Sequence, residues 1–306
     1  MQKPKRSSDF ALGIDGGGSK TLAIVVDAQG NERGRGQSGS TNYAAVGINQ
    51  AVNHIRSAAE EAARAANCPL PLHAAWLGLA GIDRPDDCNK LLPYLHSLAR
   101  IVCLTNDAEL VLSALEGTVG IALIAGTGSI ALGRNIQGTI TRVGGWGHIF
   151  GDEGSGYEIG RQGLQAAARS ADGREPRTAL LELIMEEWKL NIPSDLIGKV
   201  YHEKDKAPIA QLSTLVFKAA RNGDEMAQKI IEQAANELAL AAITVGNTLD
   251  RPGETLPIAL SGGLLLHEED FREQVLQAIR QHRPIGQIAL VTQPALSAAR
   301  AAIQLH

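Results

Sequence analysis

One pattern constrains this chain of 306 residues more than any other: a strand, a glycine-rich turn and a second strand occur near the start and again near residue 120. The first copy reads FALGID and KTLAIVVD around its turn, and the second reads GIALIAGTGSIALGRN. Aliphatic and β-branched runs bounded by glycine are typical of strands. Glycine also lets the backbone approach a bound group closely. The repeat therefore predicts a duplicated fold with one such turn in each half.

The first glycine turn, GIDGGGSKT at residues 13–21, matches neither of the two common phosphate-binding motifs. A P-loop needs lysine where Ser19 stands, and it continues into a helix, whereas a strand follows here. The motif G-x-G-x-x-G fails because Thr21 replaces the third glycine when Gly16 is taken as the first. Backbone amides of the turn can still bind an anionic oxygen, with Asp15 facing a metal bound to it. A plain hairpin turn is the alternative.

The following segments have the order of an α/β fold. After the opening strands we expect a third strand, a long helix, two buried strands and a short helix: ERGRGQ, AAVGINQAVNHIRSAAEEAARAA, HAAWLGLAG, RIVCLTND and AELVLSALEG. GTITRVGG is a further strand after the second glycine turn. Strands alternating with helices indicate a mostly parallel sheet with helices on both faces.

The last part of the chain is predicted to begin with helices and to end with two more strands. Residues 152–250 are predicted to be helical, with Pro193 and Pro208 as interruptions and RPGE at 251–254 as a stop. PIALSGGLL is a buried strand leading into a glycine turn and a helix, and QIALV is the last strand. PALSAARAAIQL is a closing helix that starts at Pro294. We expect the ligand site in the cleft between the two halves.

Composition excludes several classes of protein. A formal net charge of -4 argues against general affinity for nucleic acid or an anionic membrane. No apolar run reaches the 18 or so residues of a membrane span. The leader MQKPKRSSDF is charged, and the apolar stretch after it ends at Asp15, so no signal peptide is expected. The 3 cysteines form neither an even set nor a C-x-x-C pair, which disfavours disulfides and a zinc knuckle. We expect a cytoplasmic enzyme, and a homodimer is left open.

Four glycine- or alanine-rich segments carry a family resemblance in their order along the chain. DGGGSKT, IAGTGSIAL, LSGGLLL and PALSAARAA resemble the first phosphate loop, second phosphate loop, adenosine loop and closing helix of the fold shared by actin, Hsp70 and the sugar kinases. STNYAAVG, LTNDA, GTGS and RVGGWGHIFGDEGSGYEIGRQ resemble the N-acetylglucosamine kinases. That subfamily lies within a larger family that also contains the activator ATPases of benzoyl-CoA reductase and 2-hydroxyacyl-CoA dehydratases. The resemblance spans nearly the whole chain.

The resemblance implies an α/β fold of two duplicated actin-like (ribonuclease H-like) domains with a cleft between them. The expected N-terminal domain covers residues 1–117. The expected C-terminal domain covers residues 118–293 and is enlarged by a helical region. Residues 294–306 form the closing helix, which packs back on the N-terminal domain. The implied substrates are ATP, with Mg²⁺, and an amino sugar.

Asp107 is the implied catalytic base. It follows the strand RIVCLT at its C-terminal end, where open α/β sheets place functional groups. A carboxylate there accepts the proton of a sugar hydroxyl that attacks the γ-phosphoryl group. The alternative is a helix N-cap, a position that aspartate fills well. The match of TNDA to the catalytic segment of the kinases favours the base.

The resemblance also implies the nucleotide and metal contacts. Asp15 is the expected Mg²⁺ ligand, with a turn aspartate as its alternative. The expected nucleotide contacts lie in three glycine turns: Gly16, Gly17, Gly18, Ser19 and Lys20 in the first, Gly126 and Thr127 in the second, and Gly262 and Gly263 in the third. Thr127 as a plain strand residue and the third turn as a plain turn are the alternatives.

The implied sugar contacts come from the STN, GTGS and GGWGHIFGD segments. Besides Asp107 they are Asn42, Ser129, Gly145, Trp146, His148 and Asp152. A carboxylate and an amide recognise sugar hydroxyls strongly. For Asp152 the alternative is a cap at the start of a helix, and for Trp146 it is a core position. His148 is expected to contact the sugar and not to act in catalysis.

Other functions of the same fold remain as alternatives. Glucosamine kinase differs only in the pocket around the 2-substituent, which the sequence does not reveal. An electron-transfer activator needs cysteines for an iron–sulfur cluster, and residues 104–306 contain none. The zinc motif of related bacterial glucokinases is missing too. A sugar sensor without catalysis would lack the base or the metal carboxylate, but Asp107 and Asp15 are both present. The sequence therefore favours an N-acetylglucosamine kinase.

Overall fold

The strands of the two predicted repeats form two separate sheets. The computed structural model describes residues 10–82, 85–202, 205–249 and 255–305. Residues 1–9 of the leader and the predicted stop at 251–254 lie outside these ranges. The chain divides into unit 1, Met1–Thr118 with Val291–His306, and unit 2, Val119–Leu290.

The elements of the described part are as follows. The strands are β1 (Phe10–Gly16), β2 (Thr21–Asp27), β3 (Glu32–Ser38), β4 (Leu72–Leu79), β5 (Ala99–Asn106), β6 (Gly120–Ala125), β7 (Ser129–Arg134), β8 (Ile140–Gly144), β9 (Leu256–Ser261) and β10 (Ile285–Leu290). The helices are α1 (Tyr43–Val46), α2 (Ile48–Ala65), α3 (Pro85–Leu91), α4 (Glu109–Leu112), α5 (Gly156–Ala171), α6 (Ala179–Glu187), α7 (Asp195–His202), α8 (Ala207–Gln211), α9 (Ser213–Arg221), α10 (Glu225–Asn247), α11 (Gly263–His267), α12 (Glu269–Arg280) and α13 (Pro294–Ala302).

The two sheets have the same strand order. In unit 1 the order is β3-β2-β1-β4-β5, and in unit 2 it is β8-β7-β6-β9-β10. In each unit the first three strands pair antiparallel, and the later two join parallel to the first. The predicted duplicated α/β fold is confirmed, although each sheet is mixed and not mostly parallel.

Unit 1 has helices on both faces of its sheet. Helix α2 covers one face with a stripe of alanine and aliphatic side chains. Helix α13 covers the other face, and it lies so close to β1 that a Cβ on Gly13 would be 1.9 Å from the Ala295 carbonyl oxygen. Only glycine allows this approach. Pro294 stands in the first turn of α13, as the sequence predicts.

Two helices of unit 1 differ from their predictions. The long helix predicted over 44–66 is two helices, because Gly47 adopts a φ of 82° and breaks the chain direction after α1. Helix α4 ends at Leu112, before the end of the predicted segment, and a 3₁₀ turn at Glu116–Thr118 follows. Helix α3 was not predicted from the sequence.

Unit 2 carries the predicted helical region between β8 and β9. Helices α5, α6, α9, α10 and α12 contribute to one hydrophobic core with the inner strands of the sheet. Pro193 lies between α6 and α7, as predicted, whereas Pro208 is part of the first turn of α8. In the described part of the chain, no helix has both the length and the apolar character needed to cross a bilayer.

Candidate active site

The first glycine turn connects β1 to β2 in unit 1. The Gly17 N–H donates to the Lys20 carbonyl at 2.9 Å and closes the hairpin. Gly16 is buried, and a Cβ there would lie 2.2 Å from the Thr41 Oγ1 atom, so no larger residue fits. Gly18, Ser19 and Lys20 are exposed. The turn therefore presents exposed backbone next to a tightly packed base.

Two carboxylates lie beside this turn. Asp15 lies near the end of β1, and Asp107 directly follows β5. Because β1 and β5 both run parallel to β4, the two carboxylates stand at the carboxyl ends of parallel strands. The pKa of Asp15 is raised from 3.8 to about 6, first by burial and then by the negative charge of Asp107, while Lys20 acts in the opposite direction. The two negative charges are close enough to interact, and a bound cation would relieve their repulsion.

The surroundings of Asp107 bear on its alternative role as a cap. Its Oδ1 accepts a hydrogen bond from the Ala108 N–H at 2.9 Å, and Asn106 Oδ1 accepts from the same N–H at 2.9 Å. Helix α4 has Ala108 as its N-cap residue, without a side-chain cap bond. Asp107 directly precedes this N-cap residue, and its carboxylate bonds to the Ala108 N–H rather than to an N–H deeper in the helix, which disfavours the N-cap alternative.

Asn42 lies in the short segment between β3 and α1. Its Oδ1 accepts from the Ala44 N–H at 3.2 Å, and it caps α1. The same oxygen is 3.3 Å from the position of a Cβ built on Gly81. This cap uses the carbonyl side of the amide, and the half-buried side chain keeps donor capacity on its nitrogen.

The second glycine turn connects β6 to β7 in unit 2. The Gly126 N–H donates to the Gly128 carbonyl at 2.9 Å, and Thr127 is exposed at the tip. The strand-residue alternative for Thr127 is therefore wrong. The Gly126 carbonyl accepts from the Gly156 N–H at 2.8 Å, which ties the turn to the start of α5.

The third glycine turn lies against the second. Gly262 has a φ of 88°, and a Cβ there would be 2.3 Å from the Ala125 carbonyl oxygen. A Cβ built on Gly126 would lie 3.7 Å from the Gly263 nitrogen, where α11 begins. Unit 2 thus brings the predicted contacts of both turns together on adjacent backbone.

Asp152 is a buried carboxylate close to the second glycine turn. It is 5 % exposed, and its Oδ2 lies 2.8 Å from a Cβ built on Gly128. Its φ is 57°, a left-handed conformation that aspartate tolerates better than most residues. Ser155 is the side-chain cap of α5, so the cap alternative for Asp152 is wrong. Among the hydrogen bonds between described residues, none is donated to the Asp152 carboxylate. This buried acceptor is suited to a ligand hydroxyl.

The other predicted sugar contacts surround the loop after β8. Trp146 is 59 % exposed, with the Arg142 guanidinium 5.0 Å from its ring centroid, so the core alternative is wrong. The His148 ring packs edge-on against Tyr157 at 4.9 Å. Gly145 has a φ of 70°. Ser129 is buried, and its hydroxyl donates to the Glu153 carbonyl at 2.6 Å.

Two cavities of unit 2 differ in their relation to these residues. The larger, about 530 Å³, lies between α9, α10 and α12, and none of the predicted site residues lines it. A cavity of about 300 Å³ is lined by Ser129, Trp146 and Glu153, with apolar side chains of Ile130 and Val143. Of these two cavities, the smaller one adjoins the predicted sugar contacts.

The surroundings of Asp15 fit the role of a magnesium ligand. In the described ranges, no group of three or more His, Cys, Asp or Glu side chains could hold a metal. Magnesium at phosphoryl-transfer sites keeps several waters and uses one or two carboxylates together with substrate phosphates. One carboxylate with a raised pKa, beside an exposed glycine turn, fits this requirement.

Some residues around the first turn were not anticipated from the sequence. Ser40, Thr41 and His54 make contacts that fix the segment before Asn42. The STN motif gave a signal for the first two, since they adjoin Asn42. His54 lies inside an amphipathic helix, and nothing in its local sequence pointed to the turn.

The fold and the glycine turns define the class of this protein. It is a duplicated α/β protein with the fold shared by actin, Hsp70 and the sugar kinases. The chain matches the BadF/BadG/BcrA/BcrD ATPase family over residues 12–299, and it belongs to that family. The family resemblance drawn from the motifs is thereby confirmed.

Similar proteins include two named kinases and one solved structure. An N-acetyl-D-glucosamine kinase of Dictyostelium discoideum is 32% identical over 315 residues, which cover 97% of this chain and 98% of that protein. An N-acetylmuramic acid/N-acetylglucosamine kinase of Clostridium acetobutylicum is 34% identical over 84% of this chain and 85% of its own length. The solved structure of a presumed N-acetylglucosamine kinase from Chromobacterium violaceum has a TM-score of 0.75 and 25% identity, covering 97% of this chain and all of that one (100%).

Proposed function

We propose that this protein transfers the γ-phosphoryl group of ATP to the 6-hydroxyl of N-acetylglucosamine. Membership of the ATPase family and the similarity to amino-sugar kinases support this function. The observation that carries it is the pair of carboxylates, Asp15 and Asp107, beside the exposed first glycine turn. One can bind a cation and the other can accept a proton, which are the two acidic roles of a sugar kinase.

Asp107 is the proposed base. As the sugar oxygen attacks the γ-phosphorus, the hydroxyl proton passes to the Asp107 carboxylate. A bond forms between this oxygen and phosphorus, and the bond from phosphorus to the β,γ-bridging oxygen breaks. ADP then leaves with the electron pair. The hydrogen bond from the Ala108 N–H at 2.9 Å orients the carboxylate for this transfer.

Asp15 is the residue that would hold Mg²⁺. When bound, the ion neutralises phosphate charge in the transition state. The exposed amides of the first turn and the backbone of the second and third turns bind the nucleotide in this proposal. Loss of activity with a chelator, and recovery with added Mg²⁺, is the expected result of a simple metal-depletion assay.

The sugar is held in this proposal by Asp152, Asn42 and Ser129. Asp152 supports this assignment because it is a buried acceptor with no donor among the described residues. Trp146 offers an exposed aromatic face for the sugar ring. The N-acetyl methyl group needs an apolar niche, and the 300 Å³ cavity beside Trp146 supplies one, with Ile130 and Val143 in its wall.

N-acetylmuramic acid is a second candidate substrate. The Clostridium acetobutylicum relative is named for both N-acetyl sugars. N-acetylmuramic acid keeps the acetamido group and the 6-hydroxyl, so it presents the same reacting atoms. The acid-bearing ether on its 3-oxygen is the only part that has to be accommodated in addition.

One substrate panel tests the function. A coupled assay of ADP release with ATP and Mg²⁺ compares N-acetylglucosamine, N-acetylmuramic acid, glucosamine and glucose. We expect the highest kcat/KM with N-acetylglucosamine and a 6-phosphate as the product. ATP binding without turnover of any amino sugar would favour a sensor. A tenfold preference for glucosamine would change the substrate and leave the reaction type. Cytoplasmic location and a homodimer remain predictions.

A further inference from the structure

The short segment Gly39–Asn42, here called the linking segment, connects the first glycine turn to Asn42 in unit 1. The Thr41 N–H donates to the Gly17 carbonyl at 3.2 Å. The Ser40 hydroxyl also approaches this carbonyl, at 3.5 Å, and it accepts from the Asn42 N–H at 3.2 Å. One backbone carbonyl of the phosphate turn is therefore bonded to the two residues that immediately precede Asn42.

The other end of the linking segment is fixed by two side chains. The Thr21 hydroxyl donates to the Gly39 carbonyl at 2.6 Å. His54, on α2, has its Nδ1 atom 2.6 Å from the Ser40 carbonyl oxygen, so this nitrogen carries the proton and donates. The imidazole also packs on Gly39, where a Cβ would be 2.6 Å from the ring. One side chain from β2 and one from α2 therefore hold the linking segment in place.

Thr41 fills the space under the turn. It is completely buried (0 % exposed), and a Cβ on Gly16 would lie 2.2 Å from its Oγ1 atom. Within the described part of the chain, this hydroxyl has no hydrogen-bond partner. Movement of the turn by a fraction of an ångström would therefore press directly on Thr41, and Thr41 is one residue from Asn42.

We propose that the linking segment couples the binding of nucleotide to the binding of sugar, with His54 as its positioning residue. The proposal rests on the proposed function, in which the turn binds phosphate and Asn42 binds the sugar. His54 touches neither substrate. It keeps the Ser40 carbonyl in place, so a shift of Gly17 moves Asn42 and is not absorbed by the loop.

Unit 2 has a corresponding connection. The Gly126 carbonyl, at the place in the second turn that corresponds to Gly17, accepts from the Gly156 N–H at 2.8 Å. Gly156 lies four residues after Asp152, another of the proposed sugar contacts. In each unit, one carbonyl of the glycine turn thus accepts a hydrogen bond from the segment that carries a proposed sugar-binding residue. In unit 1 this segment is irregular, and it needs His54 to be rigid.

The test measures the coupling itself. Isothermal titration gives the Kd of N-acetylglucosamine for the full chain, with and without a non-hydrolysable ATP analogue and Mg²⁺. The ratio of the two constants is the coupling factor, which is typically about 5 to 150 for coupled sites. We expect a factor of about 5 or more in the unchanged protein. In His54→Leu we expect the coupling factor to fall toward about 1, because the hydrogen bond from His54 to the Ser40 carbonyl is lost.

Three further variants separate coupling from general damage. His54→Asn places an amide N–H near the position of Nδ1, and we expect it to restore most of the factor. Arg56→Leu is the matched control, because Arg56 on the same helix donates to the Tyr94 carbonyl at 3.3 Å, away from the linking segment. We expect the coupling factor of Arg56→Leu to be unchanged. If His54→Leu does not fold, Ser40→Ala removes the hydroxyl that links the Gly17 carbonyl to the Asn42 N–H, while the Thr41 bond to Gly17 stays, and we expect the coupling factor to fall in part.

The outcomes are distinct from those of the substrate panel. If the unchanged protein binds both ligands with a coupling factor of about 1, the linking segment does not couple them, and the kinase function stands. An unchanged factor in folded His54→Leu, or an equal loss in Arg56→Leu, removes the role of His54. Steady-state kinetics give a second readout: KM for the sugar rises in His54→Leu, and kcat stays within about twofold because Asp107 is untouched.

Discussion

The two glycine turns have the same place in two sheets of the same strand order, but their surroundings differ. The first turn has two carboxylates beside it, and the charge of Asp107 contributes to a pKa of about 6 at Asp15. The second has one buried carboxylate, Asp152, against Gly128. The first is supported by an irregular segment and the second by the capped start of α5.

This difference indicates a division of tasks between duplicated units. Like charges held together are costly and are maintained where they bind a cation or move a proton. A single buried acceptor beside a helix start is a binding group. We therefore expect changes in unit 1 carboxylates to reduce the rate of reaction, and changes in Asp152 to reduce sugar binding. The following predictions test this division, starting from the largest effect.

Asp107→Asn is expected to have the largest effect. The amide keeps the shape of the side chain but cannot accept the hydroxyl proton, so kcat should fall about 10²-fold or more. Because Ala108 is the N-cap residue of α4, the free energy of unfolding should change by less than about 1 kcal/mol. Steady-state assays and urea unfolding of the same variant measure both quantities.

The control for this variant is Asp86→Asn. Asp86 is an exposed aspartate in the first turn of α3 in the same unit. Its replacement removes one negative charge from unit 1 without touching the site, so kcat should stay unchanged. Equal losses in both variants would mean that the net charge of the unit matters and not the base.

Asp152→Asn is expected to weaken sugar binding. Replacing a buried carboxylate by an amide weakens its hydrogen bonds to sugar hydroxyls and should cost about 2 to 3 kcal/mol in kcat/KM, mainly through the KM for the sugar. The KM for ATP should hardly change. A loss confined to kcat would contradict the division of tasks, because it would place chemistry in unit 2.

The raised pKa of Asp15 predicts how magnesium activation depends on pH. The ordinary pKa of 3.8 is raised to about 6, so the carboxylate is protonated below that value and loses its affinity for the cation. The concentration of Mg²⁺ for half-maximal activity should rise about tenfold for each pH unit below 6 and stay constant above pH 7. Titrations of Mg²⁺ between pH 5 and 8 measure this.

The raised pKa of Asp15 also affects stability. As pH rises, magnesium activation improves, whereas the metal-free folded chain becomes less stable. Between about pH 4 and 6 the folded chain binds a proton that the unfolded chain has released, so metal-free stability falls as pH rises through this window. Asp15→Asn removes the charge and should abolish this part of the pH dependence. If unfolding of the metal-free protein is insensitive to Asp15→Asn at every pH, the pKa of Asp15 is not raised in the folded chain.

The fold could be predicted from the sequence because its signals are local. Each strand is a short aliphatic run bounded by turn residues, and the two glycine turns repeat the same pattern in order. The break at Gly47 could not be predicted with the same ease. An isolated glycine inside a helical pattern is tolerated in many helices, so the pattern alone does not show that Gly47 ends α1 with a φ of 82°.

The candidate site residues were predicted from motifs and not from geometry. The motifs identified Asp15 and Asp107, but their mutual repulsion follows from two strands more than 80 residues apart in the chain. The same holds for His54 and Ser40, which are separated by 14 residues and meet through the packing of α2. Contacts of this kind are set by tertiary structure, and no sequence period reports them.

Thr41→Val gives the smallest expected effect. Thr41 and Thr21 are both completely buried in unit 1 (each 0 % exposed), but only the Thr21 hydroxyl has a partner, the Gly39 carbonyl at 2.6 Å. A buried polar group without a partner costs about 1 to 3 kcal/mol, and valine keeps the shape of threonine. Urea unfolding of Thr41→Val should therefore show stability unchanged or raised by about 1 kcal/mol. Thr21→Val, the matched control, should lose about 1 to 3 kcal/mol because it leaves the Gly39 carbonyl unsatisfied. Equal losses in the two variants would show that the Thr41 hydroxyl is bonded in solution, and the linking segment would then have a further anchor at the first glycine turn.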